Sequence, residues 1–140
     1  MAKTILIADD NDAVRRAVCE VFTRESDFEV CGEAHDGHDA IEKAQRLHPD
    51  LIILDLSMPV MNGFEAARVL RDLVPSVPII LFTLYVDVIV EERARSAGVA
   101  DVVSKSEHIS GADRRRASSS VPLRCIVTSF PSLESLGRPA

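Results

Sequence analysis

The sequence predicts an α/β fold in which helices cover both faces of a parallel sheet. Apolar runs of four to six residues alternate with longer segments whose apolar residues recur every three or four positions. The short runs are typical of strands buried on both faces, and the longer segments of amphipathic helices. Strands that alternate with helices form βαβ units, in which all strands point the same way. This alternation continues to about residue 105.

The first predicted strand is the run TILIAD, residues 4–9, which leads into two adjacent carboxylates. Asn11 or Asp12 can cap the helix that follows, because a short polar side chain accepts hydrogen bonds from the free N–H groups at a helix start. The apolar positions of this helix are Val14, Ala17, Val18, Val21 and Phe22. Residues 28–34, FEVCGEA, alternate in polarity as a more exposed strand does.

The middle of the chain repeats the pattern of helix and strand. A second helix carries its apolar face on Ala40, Ile41, Ala44 and Leu47, and Pro49 ends it. The run LIILDL, residues 51–56, is a second buried strand that brings Asp55 to its end. Turn residues at 58–63 then lead into a third helix with the apolar stripe Phe64, Ala67, Leu70, Leu73 and Val74.

The last predicted elements follow in the same order. The run PIILFT, residues 78–83, is a third buried strand and ends on Thr83. A fourth helix is predicted from about 87 to 97, with Gly98 as its stop. Residues 101–105, DVVSK, form a short strand that ends on Lys105.

Five polar residues stand at or just after the C-terminal ends of the predicted strands: Asp9, Asp10, Asp55, Thr83 and Lys105. Parallel strands bring their C-terminal ends to one edge of the sheet, where open α/β sheets place their binding sites. The pair Asp9–Asp10 alone could be a solvated turn or a cation site. Its expected convergence with three other polar side chains favours the cation site.

Three carboxylates in one cleft repel each other. A like-charged pair about 4 Å apart costs roughly 4 kcal/mol at an effective dielectric constant of about 20. A divalent cation, the ammonium group of Lys105 or a raised pKa of one acid can offset this cost. Mg²⁺ fits best, because it binds carboxylates, carbonyl groups and water and commonly also phosphate oxygens. Asp55, alone on its strand, is then the best nucleophile for forming an aspartyl-phosphate.

Composition argues against several other classes of protein. The 140 residues suit one domain, and no apolar run approaches the roughly 20 residues that cross a bilayer. We therefore expect a cytoplasmic protein without membrane contact, whose cysteines (Cys19, Cys31 and Cys125) are free thiols rather than disulfides. Residues 1–106 carry a net charge of −8 and residues 107–140 one of +2. An acidic body argues against nucleic-acid binding.

The combined pattern ILIADD, LIILDLSMPVMNGFEA, PIILFT and VVSK resembles the receiver domain of bacterial two-component response regulators. The resemblance covers residues 3 to about 108. The residues around Asp55 and the segment SKSEH resemble those of the subfamily that usually carries a C-terminal helix-turn-helix output domain. The resemblance implies a doubly wound, flavodoxin-like sheet of five parallel strands in the order 2-1-3-4-5, flanked by five helices.

The resemblance also implies a role for each polar residue at the strand ends. Asp55 accepts a phosphoryl group from a sensor histidine kinase, and the domain then switches conformation to control an output. Mg²⁺ is held by Asp9, Asp10, Asp55 and the backbone carbonyl of Ser57. The phosphoryl oxygens are bound by Thr83 and Lys105. A homodimer is left open as a second partnership.

The C-terminal part departs from the family pattern. A fifth amphipathic helix is usual after residue 108, whereas residues 107–140 contain 7 Ser, 5 Arg and no Lys, with no wide apolar stripe. We predict a receiver domain over 1–108 and an atypical, poorly ordered tail over 109–140, as a frameshift or truncation would produce. The fifth helix is then degenerate or missing, no DNA-binding domain is expected, and apolar surface near Val14, Val18 and Phe22 should be under-covered.

Two single positions also differ from the family. Leu84 stands where receivers usually have a small residue, and Val102 stands where many have Tyr or Phe. The sequence leaves open how these two residues affect conformational switching.

Two other functions remain alternatives to a phosphorylated signalling domain. A degenerate receiver would keep the fold and act only through protein–protein contact, which the unusual tail favours and the intact strand-end residues oppose. An Mg²⁺-dependent phosphatase would also use an aspartyl-phosphate, but the usual motif of such enzymes is Asp-x-Asp, and here Asp9 and Asp10 are adjacent. The leading interpretation is a phosphoacceptor and not an enzyme with turnover.

Overall fold

A computed structural model of the chain describes residues 3–24, 28–84 and 86–104. Strands and helices alternate in these ranges: β1 Lys3–Ala8, α1 Asp12–Thr23, β2 Phe28–Ala34, α2 Gly37–Leu47, β3 Leu51–Asp55, α3 Gly63–Leu73, β4 Ile79–Thr83, α4 Val88–Ser96 and β5 Asp101–Ser104. The strands form one parallel sheet in the order β2-β1-β3-β4-β5. The predicted fold class and strand order are confirmed. Lys105, Tyr85 and the whole predicted tail, 109–140, lie outside the described residues.

The apolar strands separate two layers of core. On one face of the sheet, Leu6, Ile52 and Leu81 pack with apolar residues of α2, α3 and α4. On the other face, Ile7, Ile53 and their neighbours pack with residues of α1. Every residue of β3 and β4 is buried, which explains their unbroken apolar sequences. Among the described residues, no helix combines the length and the apolar character that crossing a bilayer requires.

The α1 face of the sheet is better covered than expected. Val18 and Phe22 are both buried, and the Phe22 ring packs edge-on against Phe28 with 5.5 Å between the centroids. The expectation of under-covered apolar surface near Val14, Val18 and Phe22 is therefore wrong for Val18 and Phe22, whereas Val14 is only partly buried. It overlooked the aromatic ring at the start of β2, which closes the end of this layer.

A β-bulge interrupts the pairing of β1 with β2. Ile5 pairs with Val30, but Leu6 pairs with Gly32, so Cys31 is an extra residue on β2. The residues after the bulge are displaced to the opposite face from the one that regular alternation gives, and Ala34 packs with α2 rather than with α1.

The cysteines in the described part of the chain are free thiols, as predicted. Cys19 and Cys31 are both partly buried. Burial raises the pKa of both thiols, to about 11 for Cys19, where the neighbouring Glu33 carboxylate adds to the effect. These thiols are therefore poor nucleophiles at neutral pH.

The loop between β3 and α3 is tightly folded. The Met61 N–H donates to the Pro59 carbonyl at 2.7 Å and closes a three-residue turn. Its central residue, Val60, has φ +70° and is 84% exposed. A β-branched side chain is strained in this left-handed region, so the turn stores conformational energy beside the end of β3.

The start of α3 is anchored to the end of β3. The Gly63 N–H donates to the Leu56 carbonyl at 2.8 Å, and Asn62 and Glu65 form a reciprocal capping box. A Cβ atom on Gly63 would lie 2.5 Å from the Asp55 carbonyl oxygen and 2.8 Å from the Leu56 Cα. Only glycine permits this close approach of the helix to the strand end.

We predict that Val60→Gly stabilises the protein. Glycine adopts positive φ freely, so the substitution removes left-handed strain, while its greater freedom in the unfolded chain offsets part of the gain. The expected net increase in the free energy of unfolding is about 1 kcal/mol, measured by chemical denaturation. Ile89→Gly is the control, because Ile89 is also β-branched and exposed but helical, and its replacement should destabilise. A loss of stability in Val60→Gly would contradict the strained turn.

We predict that Gly63→Ala destabilises the protein, although alanine is the better helix former. The added Cβ forces the β3 end and α3 apart, which should cost about 1–3 kcal/mol as overpacking typically does. Gln45→Ala, at an exposed position of α2, is the control and should change stability by less than about 0.5 kcal/mol. Equal stabilities of Gly63→Ala and the wild type would show that the approach is not tight.

Candidate functional site

Three aspartates meet at the C-terminal edge of the sheet. Asp9, Asp10 and Asp55 each offer one carboxylate oxygen, and these three oxygens lie within 4.8 Å of one another. Asp55 is the last residue of β3, and the other two follow β1, which pairs with β3 through Ala8 and Leu54. The parallel pairing of these two strands is what brings residues 45 positions apart in the sequence together.

The three carboxylates differ in their exposure. Asp9 and Asp55 are each only 3% exposed, whereas Asp10 is exposed. The Asp9 carboxylate accepts a hydrogen bond from the Asn11 N–H at 2.9 Å, and the Asp9 N–H donates to the Ala34 carbonyl at 2.9 Å. The site, which we call the acidic pocket, therefore consists of two buried acids and one exposed acid, Asp10.

Asn11 sets the direction of the chain as it leaves the pocket. It is the N-cap of α1, and its side chain accepts from the Val14 N–H at 3.1 Å. Of the two cap candidates in the sequence, Asn11 and Asp12, the structure uses the first. Capping satisfies a free backbone donor and begins α1 directly after the acid pair.

Thr83 lies at the same edge of the sheet. It is the last residue of β4 and is 5% exposed. Asp55 pairs with Phe82 in the adjoining strand, so Thr83 is one residue further along than the register partner of Asp55. Ser57 lies two residues beyond Asp55, in the exposed loop. Lys105, the fifth strand-end residue, lies outside the described residues.

Arg15 is a site residue that the sequence analysis missed. Its Nη1 donates to the Asp9 carbonyl at 2.8 Å, and its other nitrogens reach Asp12 and Glu33. Burial opposes its charge, but the hydrogen bonds and charges of Asp12 and Glu33 raise the pKa of Arg15 above its usual value. The i,i+3 spacing of Asp12 and Arg15 was the available signal; the contact with Glu33 depends on the β2 register.

The donor set suits a hard divalent cation. Carboxylate oxygens are the ligands that Mg²⁺ prefers, usually one or two together with waters and substrate oxygens. The pocket places three such oxygens together, and no histidine or cysteine is among them to favour zinc. Within the described part of the chain, this is the one group of three or more acidic, histidine or cysteine residues close enough to share an ion.

Comparison with known sequences identifies the family. The sequence model of the response regulator receiver domain matches residues 5–111. The response regulator protein VraR of Staphylococcus saprophyticus is 36% identical over 102 residues, which is 73% of this chain and 49% of VraR. A protein-glutamate methylesterase/protein-glutamine glutaminase of Methanosarcina mazei is 40% identical over 104 residues, which is 73% of this chain and 29% of the relative. The match thus spans about half of these relatives or less.

Solved structures show the same fold. The receiver domain of AraT, a response regulator from Geobacillus stearothermophilus, superposes with a TM-score of 0.73 at 28% identity over 97% of this chain and 96% of that one. A DNA-binding response regulator of the LuxR family from Staphylococcus aureus gives a TM-score of 0.69 at 26% identity, over 78% of this chain and 91% of that one. With the sheet order, the acidic edge and the family match together, this chain belongs to the response regulator receiver domains, and its relatives include regulators of the LuxR family.

Proposed function

We propose that this chain is the phosphoacceptor module of a two-component system, in which Asp55 takes a phosphoryl group from a phosphohistidine of a sensor kinase. The observation that supports this most is the meeting of the buried Asp55 carboxylate with the Asp9–Asp10 pair. A buried acid with only a structural role would be destabilised by two further acids beside it. A site that binds a cation and a phosphoryl group, by contrast, needs several carboxylates close together.

The pocket fits Mg²⁺ as its cation. Asp9, Asp10 and Asp55 would hold it with their carboxylates, and the backbone carbonyl of Ser57 would complete the protein ligands. When bound, the cation neutralises charge on the transferred group and orients its oxygens. Membership of the receiver family, whose acidic cluster generally binds Mg²⁺, supports the assignment.

The transfer itself needs only one bond made and one broken. A carboxylate oxygen of Asp55 forms the new O–P bond, while the P–N bond of the phosphohistidine breaks and its electron pair stays on the imidazole nitrogen. The Thr83 hydroxyl would donate to a phosphoryl oxygen, and the Lys105 ammonium group would balance its charge. The close packing of Gly63 against the Asp55 carbonyl keeps the attacking residue in position.

The output surface that we propose comprises α4 and β5. Four apolar side chains are exposed in the segment after Thr83, which leads into α4 and includes its start: Leu84, Val86, Val88 and Ile89. Phosphorylation adds about −1.5 to −2 charges one strand away from this segment. Such a charge shifts a two-state equilibrium only to the extent that the two conformations interact differently with the phosphoryl group. The segment after Thr83 directly follows a residue that would bind this group, so its conformation can respond to phosphorylation.

The proposal predicts phosphorylation of a single residue. Incubation of the chain with Mg²⁺ and acetyl phosphate should add one phosphoryl group, with acetate as the other product, and Asp55→Asn should abolish the addition. Asp72→Asn, an exposed acid of α3, is the matched control and should be phosphorylated like the wild type. Intact-mass spectrometry measures all three. A folded protein that gains no mass and consumes no acetyl phosphate would instead indicate a receiver that acts by contact alone, and rapid consumption of acetyl phosphate without accumulated phosphoprotein would indicate a phosphatase.

The proposal also predicts an opposite effect of Asp10→Asn with and without metal. Without Mg²⁺ the variant should be more stable by about 1 kcal/mol, because it loses a like charge, although exposure screens the repulsion at Asp10. With Mg²⁺ the wild type should gain thermal stability by ligand binding, and the variant should gain much less. Thermal unfolding with EDTA or with Mg²⁺ measures both effects. The Asp72→Asn control should respond to Mg²⁺ as the wild type does, and an undiminished Mg²⁺ shift in Asp10→Asn would contradict the proposed ligand.

A further inference from the structure

The side chain of Arg15 joins three elements beside the acidic pocket. From α1 its Nη1 donates to the Asp9 carbonyl at 2.8 Å, at the end of β1. Its Nε donates to the Glu33 carboxylate at 3.0 Å, on β2, and its Nη2 donates to Asp12 at 2.6 Å. The side chain is 17% exposed. Five N–H donors in one rigid plane allow a guanidinium group to hold three partners at once.

The contact with Asp9 is of particular consequence. The Asp9 carbonyl belongs to the peptide bond that joins Asp9 to Asp10, so its orientation determines how the two carboxylates stand relative to each other. The N–H and the carboxylate of Asp9 are also held, since the N–H donates to the Ala34 carbonyl and the carboxylate accepts from the Asn11 N–H. The Arg15 side chain holds the carbonyl end of this peptide through its hydrogen bond.

Charge neutralisation does not explain this arrangement. Arg15 carries one positive charge, and its ion pairs with Asp12 and Glu33 supply two negative charges. The three groups together are therefore acidic, and Arg15 leaves no surplus charge for the pocket. The role of Arg15 is therefore geometric: its two ion pairs hold the guanidinium plane in the position from which Nη1 donates to the Asp9 carbonyl.

We propose that Arg15 is a positioning residue for the metal site: it orients the Asp9–Asp10 peptide so that both carboxylates face the cation. This inference rests on the proposed function, because it assumes that the pocket binds Mg²⁺. Groups that orient metal ligands without touching the metal typically contribute 10–100-fold to metal affinity. We expect Arg15 to contribute at the lower end of that range, since its hydrogen bond reaches the backbone and not a ligand oxygen.

The test is Mg²⁺ affinity measured by isothermal titration calorimetry with MgCl₂ alone. Arg15→Met keeps the apolar stem and removes the donors, and it should weaken Mg²⁺ binding about 10-fold. Arg16→Met is the matched control, because Arg16 is the next residue of α1, is exposed, and carries the same charge. It should change the affinity less than about twofold. Arg15→Lys retains one donor within reach of the carbonyl and should fall between the wild type and Arg15→Met.

Stability and phosphorylation separate the ways in which the inference can fail. Chemical denaturation in EDTA shows whether each variant is folded, and Arg15→Lys remains informative if Arg15→Met is not. Equal Mg²⁺ affinities for the wild type, Arg15→Lys and Arg15→Met would overturn the positioning role while leaving the proposed function intact. A wild type that neither binds Mg²⁺ nor accepts a phosphoryl group would overturn the proposed function itself.

Discussion

Electrostatic repulsion among three carboxylates that lie within 4.8 Å of one another opposes the folding of this edge of the sheet. The parallel pairing of β1 with β3 creates it, because their C-terminal ends are neighbours. At an effective dielectric constant of about 20, a pair of like charges about 4 Å apart costs roughly 4 kcal/mol, which is large beside the roughly 5–15 kcal/mol that stabilises a domain, and solvent reduces this cost at the exposed Asp10. The two apolar core layers stabilise the sheet that brings these acids together, and a bound cation would offset the repulsion between them.

The segments next to the acids are tightly constrained. Gly63 approaches the Asp55 carbonyl so closely that a methyl group does not fit, and Val60 is held at positive φ in the same loop. On the other side, Asn11 and Arg15 fix the chain that carries the acid pair. A strained residue and a close contact thus lie beside the acids, although left-handed backbone also occurs away from them, at His48 and Gly98.

The sequence predicted the fold and the meeting of the acids for separate reasons. The alternation of buried runs and helical stripes is a local pattern, and it indicated every described strand and helix. The strand order came from the family resemblance, since no local pattern encodes it. The bulge at Cys31, the cover that Phe28 gives to α1 and the contact of Arg15 with Glu33 depend on register and tertiary packing. These features could not be predicted from residue spacing, and the expected exposure at Val18 and Phe22 was wrong for that reason.

We propose that the Asp9, Asp10 and Asp55 carboxylates together hold one divalent cation, with Asp55 also accepting the phosphoryl group. Crystals of the chain grown with Mn²⁺ test this proposal, because Mn²⁺ takes oxygen ligands like Mg²⁺ and scatters anomalously. We expect one strong anomalous peak in the pocket, within about 2.5 Å of carboxylate oxygens from both strand ends. An empty pocket at saturating Mn²⁺, or a peak that Asp55 does not contact, would contradict it.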